Sequence, residues 1–195
     1  MNSKTISLSP AQIRILLAEL GHPGTRAYHT YGRIHYSPGE AEWVKKALPY
    51  VFQGNFSLRV TQSGTEGYVQ YASDEPVAVT EMDVKDAEDV EGVISEKKKE
   101  GLPRLFDAPL YRIFLMHTES ETVLFVIFHH LISDGTTIQK VLPRTLRKVM
   151  DELKAGEEPQ GCRLTYDSYI RRLNEYLSSE EAEEDRKYWI RKLSA

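Results

Sequence analysis

From Thr122 to His130 the sequence reads TVLFVIFHH, an apolar run that ends in two histidines. A half-exposed strand alternates apolar and polar residues. A strand apolar at every position must be covered on both faces. The segment therefore predicts an inner strand of a layered α/β domain, and it is far too short to cross a bilayer. Immediately after it, LISDG leads into Thr136 to Lys154, where Ile138, Val141, Leu142, Leu146, Val149 and Leu153 recur at helical spacing. Strand, turn and helix in that order set the frame for the rest of the chain.

The flanking segments fit the same class. Ser9-Pro10 opens a helix carrying Ile13, Leu16, Leu17 and Leu20, which Gly21 and Pro23 stop. Tyr28 to Tyr36 predicts a strand, and Ser37-Pro38-Gly39-Glu40 is a capping box. The next helix presents Val44, Ala47, Leu48, Val51 and Phe52, and Pro49 should kink or shorten it. Phe56 to Gln62 and Gly67 to Ala72 predict two strands around the turn Ser63 to Glu66, with a further strand at Val77 to Val84. Lys85 to Glu100 predicts a charged helix with Ala87, Val90, Val93 and Ile94 as a thin apolar stripe. Leu110 to His117 predicts the neighbour of the apolar strand. A linker at Gly156 to Gln160 precedes two helices, Tyr166 to Leu177 and Ser179 to Leu193.

Composition excludes several classes. At 195 residues the chain is one domain or one lobe, long enough to bury a core without a disulfide or metal. A formal charge of −4 speaks against nucleic-acid binding, which needs a concentrated basic face. The lone Cys162 has no partner for an internal disulfide, and MNSKTISLSP lacks a secretion-signal pattern, so a cytoplasmic protein away from membranes is expected.

The chemistry concentrates in His129-His130-Leu131-Ile132-Ser133-Asp134-Gly135. Adjacent histidines followed by an acid and a glycine at these spacings arise by chance with probability roughly 0.001 in a chain of this composition. The place is telling too, since α/β folds put reactive groups at the carboxyl ends of inner strands. Neighbours on a strand point to opposite faces. His129 is expected to pack structurally and His130, at the strand's end, to reach a substrate as acid or base. Asp134 could hold backbone amides or an Arg, or mark an ordinary turn. Gly135 frees the backbone for close approach or for positive φ. A metal site fits poorly, because adjacent strand residues diverge and no Cys or third His follows at ligand spacing. No nucleophile elbow or phosphate-cradling loop is evident.

HHLISDG resembles the HHxxxDG signature of condensation domains of non-ribosomal peptide synthetases, relatives of chloramphenicol acetyltransferase. Leu8 to Arg14 resembles the opening S-x-A-Q-x-R helix of that family, Leu58-Arg59 its LR strand, Phe106 to Arg112 its D-x-x-PLxR segment, and Tyr188-Trp189 the YW that closes its first lobe. Two departures stand out. Gln53-Gly54-Asn55 occupies the place of the Arg-His that usually precedes the LR strand, and Thr136 that of a bulky residue.

The resemblance implies a chloramphenicol acetyltransferase-like α/β lobe, a mixed sheet flanked by helices, with residues 1–195 forming the amino-terminal lobe and no second lobe. It implies an acyltransferase that forms a peptide bond between a donor acyl or peptidyl thioester and an acceptor aminoacyl thioester, with His130 acting on the acceptor amine. Asp134 would pair with Arg59, or failing that Arg112, and Gly135 would offer backbone near the reacting centre. Substrates would arrive on phosphopantetheine arms of carrier proteins, so no bound cofactor is needed. Partners would be carrier domains, the second lobe and adjacent synthetase modules. The lobe alone is expected to be inactive and to expose apolar surface where the other half docks. A coenzyme A-dependent acyltransferase lobe, an epimerisation lobe and a non-catalytic carrier-docking lobe share the signature.

Overall fold

The computed structural model describes residues 5–64, 67–159 and 166–194. The signal-peptide reading of residues 1–4, the end of the turn at Thr65 and Glu66, the last linker residue Gln160, and Cys162 lie outside them.

Two sheets organise the chain. The larger runs β2 (His29–Tyr36), β7 (Thr122–His129), β6 (Tyr111–His117) and β5 (Val79–Asp83) in that order. Its pairs are antiparallel except β5 with β6. The expected mixed sheet is therefore present, and β7 lies inside it with all eight residues buried. Its alternation splits the core. Leu124, Val126 and Phe128 join the cluster against α2 (Ala41–Asn55) and α4 (Leu142–Lys154). Val123, Phe125 and Ile127 join the cluster against α3 (Ala87–Glu100).

The smaller sheet, β1 (Thr5–Ser7), β4 (Gly67–Ala72) and β3 (Leu58–Ser63), is antiparallel throughout. It shares a third cluster with α1 (Pro10–Leu20), in which Leu8, Leu16, Val60, Leu110 and Leu131 are buried. Asp107, in the segment that leads to β6, is bound to the smaller sheet: its N–H donates to Val60 O, and its carboxylate accepts from Thr61 Oγ1 and Tyr71 Oη. Helices α5 (Tyr166–Leu177) and α6 (Glu180–Leu193) follow, the latter capped by Ser179.

Three expectations need correction. Helix α2 is not shortened at Pro49 and continues to Asn55. Val44, Ala47, Leu48, Val51 and Phe52, on both sides of the proline, are buried in one cluster that holds both halves to the sheet. The helix expected from Thr136 to Lys154 is present but widens near its start into a π turn, Thr137–Val141. Pro143 cannot donate to the carbonyl four residues back, and the widened turn sits just ahead of it. On α1, only Leu16 of the expected apolar stripe is buried, while Ile13 and Leu17 are 42% and 55% exposed. The buried face of this helix is Gln12, Leu16 and the partly buried Glu19.

Candidate active site

The end of β7 stays anchored on both sides one residue beyond the ladder. His129 N–H donates to Leu110 O and His130 N–H to Tyr28 O, each at 2.8 Å. The two imidazoles then part, as strand alternation requires.

His129 is buried, 1% exposed, on the α3 side. Its Nδ1 accepts the Leu131 N–H at 3.1 Å, and its Nε2 stands 2.5 Å from Glu19 Oε2. A backbone amide can only donate, so the ring proton sits on Nε2 and points at the carboxylate. His29, the cross-strand partner of His129, meets it edge to face at 6.1 Å. Burial, with the neighbouring His129 second, holds the His29 pKa below the usual histidine value. The backbone of Gly101 lies over this ring in the left-handed region, φ 67°; an added Cβ would fall 2.6 Å from His29 Cε1. Glu19, His29 and His129 line a cavity of about 360 Å³ together with Arg26, Arg104 and Phe106.

His130 is exposed at the strand's end. Its Nδ1–H donates to Ser133 O at 2.7 Å, which leaves the Nε2 lone pair free. Ser133 is itself buried, and its hydroxyl is 3.0 Å from Thr30 Oγ1 on β2. The ring is thus fixed to the protein by one nitrogen and offers the other to the surroundings. This is the arrangement of a positioned base.

The expected ion pair of Asp134 is not formed. Asp134 Oδ1 accepts both the N–H and the hydroxyl of Thr137, each at 2.7 Å, the bond an N-cap side chain makes three residues on. Those bonds hold its carboxyl below the ordinary aspartate pKa. Arg59 lies buried on β3, donates to Ser57 O and Leu58 O, and reaches Glu75 at 3.4 Å. Arg112 pairs instead with Glu100 at 2.9 Å and donates to Gly101 O. Both arginines already have other acceptors, and the acid is satisfied by the helix it starts. Of the two readings of Gly135, positive φ is not adopted, and a Cβ there would meet nothing within 4 Å. Its backbone borders open space.

Sequence reasoning missed Glu19, Gln12, Ser133 and Thr137. Gln12 Nε2 donates to Leu131 O at 2.9 Å and pairs with the buried Gln70 amide at 3.1 Å. The available signal was the spacing of Gln12, Leu16 and Glu19 on one face of α1, a polar stripe where an apolar one was sought. Among the described residues no cluster of three His, Cys, Asp or Glu could hold a metal, and no helix is long and apolar enough to cross a membrane.

Comparison with known proteins bears on this geometry. A family model, Condensation domain, matches residues 2–195. A plipastatin synthase of Bacillus subtilis (strain 168) is 25% identical over 201 residues, 97% of this chain and 8% of that protein. Polyketide synthase PksN of the same organism is 28% identical over 194 residues, 96% of this chain and 4% of that protein. The starter condensation domain of rhizomide synthetase RzmA superposes with TM-score 0.84 at 18% identity, over 99% of this chain and 50% of that chain. A variant of that domain has been solved in complex with C8-CoA. VibH, an NRPS condensation enzyme, superposes with TM-score 0.79 at 20% identity, over 96% of this chain and 45% of that chain. At such identities the structural likeness speaks for the fold alone. The chain spans about half the length of these solved relatives and 8% or less of the two synthases.

Proposed function

The chain belongs to the condensation-domain family, and from that premise we propose that it is the amino-terminal lobe of a domain joining a carrier-bound acyl or peptidyl thioester to a carrier-bound aminoacyl thioester. The observation that carries the reading is the His130 ring, exposed at the end of β7 with Nδ1–H bound to Ser133 O and Nε2 unengaged. The acceptor amine attacks the donor carbonyl, the C–N bond forms and the C–S bond breaks. The proton leaving the nitrogen passes by way of His130 Nε2 to the departing thiolate. A base of this kind contributes about 10²–10⁴ in rate. Both substrates carry their own phosphopantetheine arms, so the lobe needs no resident cofactor.

The lobe assignment is supported by coverage of about half of the RzmA and VibH chains. Apolar side chains left exposed also support it: Ile13 and Leu17 on α1, and Tyr188, Trp189, Ile190 and Leu193 on α6. These are surfaces that a second lobe would cover. The partners are then carrier domains, that lobe and neighbouring synthetase modules, in the cytoplasm. The C8-CoA complex of the RzmA variant supports a second reading, in which coenzyme A itself delivers the acyl group.

The test is a complete two-lobed domain supplied with a loaded acceptor carrier and either a donor carrier or an acyl-coenzyme A. Amide product from the tethered donor, with loss of about 10²–10⁴ in rate on His130→Ala, is expected. Product from acyl-coenzyme A alone would transfer the assignment to the second reading. Wild-type yield from His130→Ala would overturn the role of that residue in both. The 195-residue chain by itself is expected to form no product.

A further inference from the structure

Two side chains of α1 bear on the same residue, Leu131. Gln12 Nε2 donates to Leu131 O at 2.9 Å, and Glu19, through His129, holds the Leu131 N–H. Gln12 and Glu19 are seven residues apart, two helical turns on one face, with Leu16 buried between them. Leu131 directly follows His130, and Ser133, two residues further, accepts the His130 Nδ1 proton. The orientation of the exposed imidazole thus descends from contacts made on the opposite face of the sheet.

We propose that Glu19 is a positioning residue for His130, acting through the tautomer of His129. Neutral imidazole carries its proton on either nitrogen. The Glu19 carboxylate draws it to Nε2, which keeps Nδ1 free to accept from Leu131. Without that carboxylate the proton can occupy Nδ1, where it would face the Leu131 N–H. Two donors cannot share that contact, so the 131–133 turn must shift and His130 Nε2 with it. Arg26, His29, Glu100 and Arg104, the other titratable groups that line the cavity, make no hydrogen bond to the His129 ring and do not hold its proton in place of Glu19. The catalytic consequence rests on the proposed role of His130; the geometric one does not.

The experiment separates the two. In the complete domain, Glu19→Ala is expected to lower kcat about 10–100-fold through misplacement of the base, with KM for both carriers unchanged. Glu19→Gln keeps an acceptor for the Nε2 proton and is expected to restore most of the rate. Glu19→Met fills the same space without an acceptor, and should behave like the alanine variant even if the latter folds poorly. In parallel, nitrogen NMR of the chain reads the His129 and His130 tautomers and the Leu131 amide. Glu19→Met should move all three and Glu19→Gln should not. A Glu19→Met protein with wild-type kcat, or with unmoved His130 and Leu131 signals, overturns the positioning role. Moved signals in a domain whose wild type makes no amide would sustain the positioning and remove the proposed reaction.

Discussion

His129 and His130 are one peptide bond apart and occupy different media. The first is buried, with one nitrogen taking a backbone amide and the other facing Glu19. The second is exposed, anchored by Nδ1 alone. The same side chain therefore meets two environments, and the strand decides which. Alternation sends one ring into the layer beneath α3 and the end of α1, and leaves the other past the last ladder bond. A histidine committed at both nitrogens can stabilise but cannot exchange a proton freely; one committed at a single nitrogen can.

The sharpest way to break this contrast is to remove each ring in turn. His129→Ala leaves the largely buried Glu19 carboxylate without its donor and the Leu131 N–H without its acceptor. Loss of about 3 kcal/mol is expected, roughly 6–12 °C in Tm. His130→Ala removes one bond from an exposed ring and should cost less than about 1 kcal/mol, while lowering the proposed reaction about 10²–10⁴-fold. Equal thermal losses in a calorimetric comparison would show that the two environments are not energetically distinct.

A smaller effect should stay on the buried side. Gly101 combines φ 67° with a Cβ position 2.6 Å from His29 Cε1. Gly101→Ala meets both backbone strain and a clash, and should destabilise by about 2 kcal/mol. His29 proton signals should move and those of His130 should remain in place. Movement at His130 would mean that the cavity wall and the exposed ring are coupled more directly than through Leu131.

How far the sequence foretold these differences depends on the range of the interactions. The inner strand, its flanking helices and the buried face of α2 follow from local periodicity, and Val44, Ala47, Leu48, Val51 and Phe52 are all buried as their spacing requires. The division of labour between the two histidines follows from strand alternation alone. Glu19 does not: the polar stripe of α1 includes it, but nothing local names its partner, because it meets His129 from 110 residues away. The same holds for the link between Gln12 and Leu131, 119 residues apart. The apolar reading of α1 failed because that face is chosen by hydrogen bonds to the sheet rather than by hydropathy. Arg59 likewise takes acceptors from its own strand and from Glu75, a choice that charge and spacing could not reveal.

Asp134 yields the smallest expected effect and the finest discrimination, because the sequence offered it both a cap and an ion pair. As a cap it accepts from the Thr137 N–H and hydroxyl. Replacement by Ala should then cost about 1 kcal/mol at neutral pH, and replacement by Asn, an equally good cap, only a few tenths. An arginine partner would make both substitutions costly, since neither restores a charge. The pH dependence has a definite sign. The folded carboxyl titrates below its unfolded value of about 3.9, so its contribution is complete above that value and is lost as pH falls through the lower folded one. The gap between wild type and Asp134→Asn should accordingly change in wild type's disfavour under acid, while the asparagine itself stays indifferent to pH. Thermal melts of the three proteins from pH 7 to pH 3 measure this. If Asn proved as damaging as Ala at pH 7, the carboxylate would be held by charge, and the cap would give way to the ion pair.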